Sequence, residues 1–219
     1  MVRIYGITYG DKTTEFIPFK NLATEKLHRF EYNPMIEIVD NFIYDLKPYD
    51  YLAIFSWKIT QKTGLTLARI NDLIKHAPSA PVYNCSPFLG HNINGRGWFM
   101  NWSADGHGEL LRELVKRCCA HVNIRYEDNP PVVIYANQFI CYTWIYEQYM
   151  AKVVKPCLEL LEGELWHLAD QQANYSAGVA KSELKKHTGL DFYNYVPFVL
   201  ERMFMQYVNH NNLKTISLI

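Results

Sequence analysis

The sequence predicts an α/β protein with a mixed, mostly parallel central sheet flanked by helices. Four runs rich in β-branched and aromatic residues have strand length and polar borders: 2–9, 51–57, 80–86 and 132–141. Helical patterns lie between them, and that alternation argues for helices layered on a sheet. The run YLAIF at 51–55 is apolar without alternation, as a strand covered on both faces would be. A chain of 219 residues is long enough for one well-buried core, so a single domain over 1–219 is expected.

In chain order, the first strand is VRIYGITY. The first helix is NPMIEIVDNFIYDLK, with Asn33 expected as N-cap and Pro34 in the first turn, where a missing N–H costs nothing. Met35, Ile36, Val39, Phe42, Ile43 and Leu46 form its apolar stripe. After the second strand, TLARINDLIKHA (66–77) reads as a helix with Thr66 at its start and Pro78 beyond its end. The next strand leads into an aperiodic stretch, 85–107, whose Trp98, Phe99 and Trp102 suggest a loop packed over a site. HGELLRELVKRCCAHV (107–122) is a third helix. VVIYANQFIC is the fourth strand, and the helical pattern of 143–172 contains Pro156, which is expected to bend or break it. The last helix, NYVPFVLERMFMQYVNH, is apolar nearly all round and so buried nearly all round. TISLI closes the chain as a short strand.

Composition removes several function classes. The 22 basic side chains balance 22 acidic ones, so no overall field draws the chain to nucleic acid or to an anionic membrane. The five cysteines show no C-x-x-C spacing and sit among apolar neighbours, which suggests reduced thiols and a cytoplasmic protein. No apolar stretch approaches the roughly 18 residues of a membrane span, and the first apolar run is too short for a signal peptide. Aromatics make up 15% of the chain, with 16 tyrosines and 5 tryptophans. Their flat faces and polar tips suit sugar and base surfaces, and an aromatic-rich core accounts for them equally well.

No Rossmann fingerprint, Walker loop, H-E-x-x-H or G-x-S-x-G is present. The DGH at 105–107 is the nearest approach to a metal pair, and a turn followed by a helix start explains it as well. Three signals remain. Ser56, Trp57 and Lys58 end a strand where ligands of open α/β sheets bind. Asn137 lies within an apolar run, where a buried amide wants partners on both ends. Glu201 and Arg202 are charges inside an otherwise apolar helix. An ordinary strand exit, a bridge between strands and a core ion pair account for the same three features without a site.

The stretches NPMIEIVDNFIYDLKPYDYLAIFSWKITQKTG, YANQFICYTWIYEQYMAKVVKPCLELLEGEL and YVPFVLERMFMQYV resemble a family of bacterial glycosyltransferases of polysaccharide biosynthesis with a GT-A-like fold. The positions that carry the resemblance are Asn33 and Glu37, then Ser56, Trp57 and Lys58, then Asn137, Gln138 and Phe139, and finally Phe198, Glu201 and Arg202. It covers about three quarters of the chain. The resemblance implies a nucleotide-sugar donor and a glycan acceptor. Substrate binding would fall to Ser56, Trp57, Lys58, Asn137, Asp105 and His107, and catalysis to Glu201 with Arg202. Two departures matter. The family's basic motif is reduced to Ser-Trp-Lys, and the Asp-x-Asp that commonly holds a divalent ion is missing. Lys58 would then supply the charge of that ion, with Mn or Mg left open as a cofactor. A catalytically silent binding or scaffolding member is the alternative reading. Trp166 and Leu168 are leftover apolar positions that admit a homodimer contact as well as a core role.

Overall fold

The computed structural model describes residues 1–22, 25–86, 106–174, 181–188 and 190–219. Its centre is a mixed sheet of six strands in the order β2-β1-β3-β5-β4-β6. The strands are β1 (Val2–Thr8), β2 (Ile17–Lys20), β3 (Tyr51–Ser56), β4 (Val82–Asn84), β5 (Phe139–Tyr142) and β6 (Thr215–Ser217). β1 pairs parallel with β2 and β3, and β4 pairs parallel with β6, while β5 runs antiparallel to both neighbours. Five strands therefore share one direction.

β3 shows why its apolar run does not alternate. Leu52 and Ile54 enter the core cluster on one face, and Ala53 and Phe55 enter the cluster on the other. The larger cluster receives α1 (Tyr32–Asn41) and the helix Glu109–His121, and the chain from Thr143 to Glu162 joins them with the helix Val196–His210. The smaller cluster is covered by the helix Leu67–His76, whose Thr66 side chain accepts a hydrogen bond from Arg69 N at 3.2 Å. All five cysteines are free and buried. Among the described residues no helix is long and apolar enough to cross a membrane.

Four expectations need correction. The cap of α1 is Glu31, not Asn33, and the helix ends at Asn41, so Phe42 emerges exposed. β2 was not foreseen: it is a four-residue edge strand with Pro18, which an edge tolerates because no ladder N–H is needed there. The run 132–141 forms a strand only from Phe139 onward. Pro156 neither breaks nor ends its helix. A π-helical turn over Met150–Val154 precedes it, and that wider turn makes room for the ring and the missing N–H.

Candidate functional site

A cavity of 390 Å³ opens at the carboxyl ends of β1 and β3. It is the crevice at which an open α/β sheet offers its strand ends to a ligand. Ser56, Trp57 and Lys58 line it, as do Asn137, Gln138, Phe198 and Glu201. Residues far apart in the sequence that were singled out separately thus meet around one cavity.

The approach from β3 is fixed by the sheet. Trp57 N donates to Ile7 O at 3.0 Å, which carries the β1–β3 ladder one residue past the strand. The chain then turns at Lys58 into the short helix Ile59–Thr63, and this brings Lys62 to the same cavity. The approach from β1 depends on Gly10. Its φ of 57° is the left-handed conformation that glycine adopts without strain, and Lys12 N closes the turn on Tyr9 O at 3.0 Å. That turn presents Lys12. The ammonium groups of Lys12 and Lys58 lie 5.2 and 5.0 Å from the centroid of the Trp57 ring. Trp57 therefore holds two cations by their attraction to its π face. Lys12, Lys58 and Lys62 belong to none of the ion pairs among the described residues.

The rest of the lining is aromatic and acidic. Phe30 stacks on Tyr193 with centroids 5.0 Å apart, and Tyr193 meets Phe198 at 5.9 Å. Glu31 follows Phe30 in the wall. Burial pushes the Glu31 carboxyl above its ordinary range, against the opposing pull of Lys62, the Ser56 hydroxyl and Lys58; nearby Glu201 pushes it further up. Glu201 is ion-paired with Arg202 Nη1 at 2.9 Å. Arg202 itself is fully buried beneath the wall, with its guanidinium 5.0 Å from the centre of the Tyr135 ring. The pair is thus both a core ion pair and a contributor to the cavity, since Glu201 lines it and Arg202 supports Glu201.

Asn137 is not in a strand. It and Ala136, both at φ 53°, are the centre of a turn closed by Gln138 N donating to Tyr135 O at 3.1 Å. Left-handed backbone is unfavourable for alanine, so strain is concentrated on the cavity wall, a common place for it. Asn137 Oδ1 accepts from the Tyr32 hydroxyl at 2.9 Å, which ties the turn to α1. Asn84 secures the preceding segment by donating from Nδ2 to Val133 O at 2.7 Å.

His107 stands behind the wall: its ring stacks on Phe198 at 4.2 Å and its carbonyl accepts from Tyr195 Oη at 2.8 Å. Desolvation and then the Arg202 charge push its pKa down to about 4, so at neutral pH it brings no cation to the cavity. Asp105, with Trp98, Phe99 and Trp102 of the proposed covering loop, lies outside the described residues. Sequence reasoning missed Lys12, Lys62, Phe30, Glu31 and Tyr193. Only Gly10 in YGDK, a turn signal directly after a strand, pointed to any of them. Comparison of the chain with protein-family models, with curated proteins and with solved structures gave no match.

Proposed function

We propose that this cavity binds a nucleotide sugar and that the protein is a GT-A-like glycosyltransferase, transferring the sugar to a glycan hydroxyl in polysaccharide biosynthesis. The observation that carries the proposal is the convergence of Lys12, Lys58 and Lys62 on one crevice at the strand ends, whose lining also holds aromatic rings and two carboxyl groups. A nucleoside diphosphate leaving group develops negative charge as its bond to the sugar breaks. Ammonium groups already in place stabilise that charge without reorganising. The aromatic wall of Phe30, Tyr193 and Phe198 offers flat faces to a base or a sugar. Trp57, expected to pack a sugar or base face, lines the cavity and also holds two of the lysines. Glu201, steadied by Arg202, would orient or deprotonate the acceptor hydroxyl.

The resemblance leaves room for Mn or Mg, but the described residues do not fit one. Among the described residues no three His, Cys, Asp or Glu side chains come together, and Glu31 and Glu201 stand among lysines. The missing Asp-x-Asp also favours the second reading, a protein that binds the same ligand and does not turn it over.

A thermal-shift panel tests the proposal. A ligand at 100 times its dissociation constant adds about 2.7 kcal/mol of stability. At least one of the uridine, guanosine, cytidine and thymidine diphosphates or their sugars should raise the melting temperature. An unmoved melting point across the panel, with and without manganese, refutes donor binding. Glu201→Gln should leave the shift in place and remove sugar-dependent release of the nucleoside diphosphate. If the wild type shows a shift and releases no diphosphate either to water or to added glycan acceptors, the silent-binder reading is favoured over the transferase.

A further inference from the structure

We infer that Glu31 is a ligand-facing acid, and that the cavity takes up a proton on Glu31 as it takes up a diphosphate. The inference rests on the diphosphate reading of the same site.

The placement of Glu31 is the first support. It is the cap residue of α1, yet its side chain makes no capping hydrogen bond, and it lines the cavity instead. The backbone leading to it is held in an unusual course. Phe30 has φ 50° and Lys26 has φ 51°, conformations that bulky side chains seldom adopt. Between them, His28 and Arg29 are fastened to Glu162, with Arg29 Nη2 donating to Oε2 at 2.6 Å and His28 Nε2 at 2.9 Å from Oε1. The anchored turn delivers Glu31 to the wall.

The second support is the set of groups around it. Lys58 and Lys62 face Glu31 from the chain after β3, the Ser56 hydroxyl from the end of β3, and Glu201 from the last helix. Tyr9 faces it from the chain after β1 and Tyr32 from its own helix, while Lys12 and Tyr193 complete the titratable lining among the described residues. In the empty cavity the lysines partly compensate the Glu31 carboxylate. A bound diphosphate engages those same lysines and adds like charge beside Glu31. Both changes favour the neutral acid, so binding is linked to protonation. The neutral acid also supplies a hydrogen-bond donor where a carboxylate would repel the phosphate.

Isothermal titration of uridine diphosphate and of inorganic pyrophosphate, in buffers of low and high ionisation enthalpy at about pH 7, measures the protons taken up. The phosphates titrate as well, so the reading is the difference between proteins for the same probe. Wild type should take up more protons than Glu31→Gln, and Glu31→Asp should retain the uptake. Glu31→Gln should bind at least as tightly as wild type at neutral pH. The wild-type advantage at about pH 6 over about pH 8 should shrink in Glu31→Gln. Equal uptake by wild type and Glu31→Gln, or binding weakened tenfold by Glu31→Gln, overturns the inference alone and leaves the diphosphate site standing. Failure of both probes to bind wild type overturns the diphosphate reading and this inference with it.

Discussion

Glu31 and Glu162 are tied to the same short segment of chain and lie in opposite electrostatic settings. Glu162 sits against Lys26, His28 and Arg29. Its burial works against the charge, but hydrogen bonds from Arg29 and then His28 prevail and pull its carboxyl down to about 2. Glu31 is two residues beyond Arg29 in the chain, and there burial prevails over Lys62, Ser56 and Lys58. The first glutamate fastens a turn; the second is delivered by that turn to a cavity. The difference shows that a carboxylate's role here follows from how completely its charge is answered. A fully answered charge stabilises the fold, and a partly answered one remains available to a ligand.

Glu201 stands between these extremes, answered by one buried arginine, and that arginine gives the largest expected effect. Arg202→Met should cost about 3 kcal/mol, since removing one partner of a buried pair strands the other. Chemical denaturation measures it, and a loss below about 1 kcal/mol would mean that cavity water already serves Glu201. Glu162→Gln comes next, at about 1–2 kcal/mol for hydrogen bonds to a charged group with partial exposure. Its pH dependence has a definite sign. The folded value of about 2 lies below the ordinary 4.5, so the contribution is complete above the ordinary value and is lost as pH falls toward the folded one. Glu31 has the reverse sign. Its folded value is raised, so the carboxyl subtracts stability as pH climbs from the ordinary 4.5 through the folded value. Glu31→Gln should therefore be neutral or stabilising by up to about 1 kcal/mol at neutral pH, with a stability profile flatter than that of wild type as pH rises above the ordinary 4.5. Parallel profiles for Glu31→Gln and Glu162→Gln would erase the distinction between the two glutamates. The smallest effect concerns the turn at the cavity wall. Ala136→Gly should relieve left-handed strain and, against glycine's added chain entropy, change stability by no more than about 0.5 kcal/mol in the stabilising direction.

Much of this arrangement was legible before any coordinates. The β3 run announced itself by apolarity on both faces, and the 196–210 helix by apolarity all round; Glu201 and Arg202 stood out against that background. Strand ends are where such sheets bind ligands, so Ser56, Trp57 and Lys58 could be named. The other half of the cavity was hidden for physical reasons. Glu31 in RFEYNP reads as the acidic flank of a helix, and its route to the cavity depends on a left-handed aromatic residue that no propensity favours. Asn137 reads as part of a strand because VVIYANQFIC is rich in β-branched and aromatic residues, and the left-handed Ala136 leaves no trace in the residue type. The antiparallel course of β5 is equally invisible, because side-chain periodicity is the same in both directions. The helix Lys181–Thr188, mostly polar, gave no apolar stripe to detect.

The central claim is that lysines delivered by two strand ends hold a diphosphate, and the affinity of the best nucleoside diphosphate for wild type and for Lys58→Ala tests it most directly. The account predicts at least a tenfold loss, about 1.4 kcal/mol, in the variant. Equal affinities in the two proteins would contradict it.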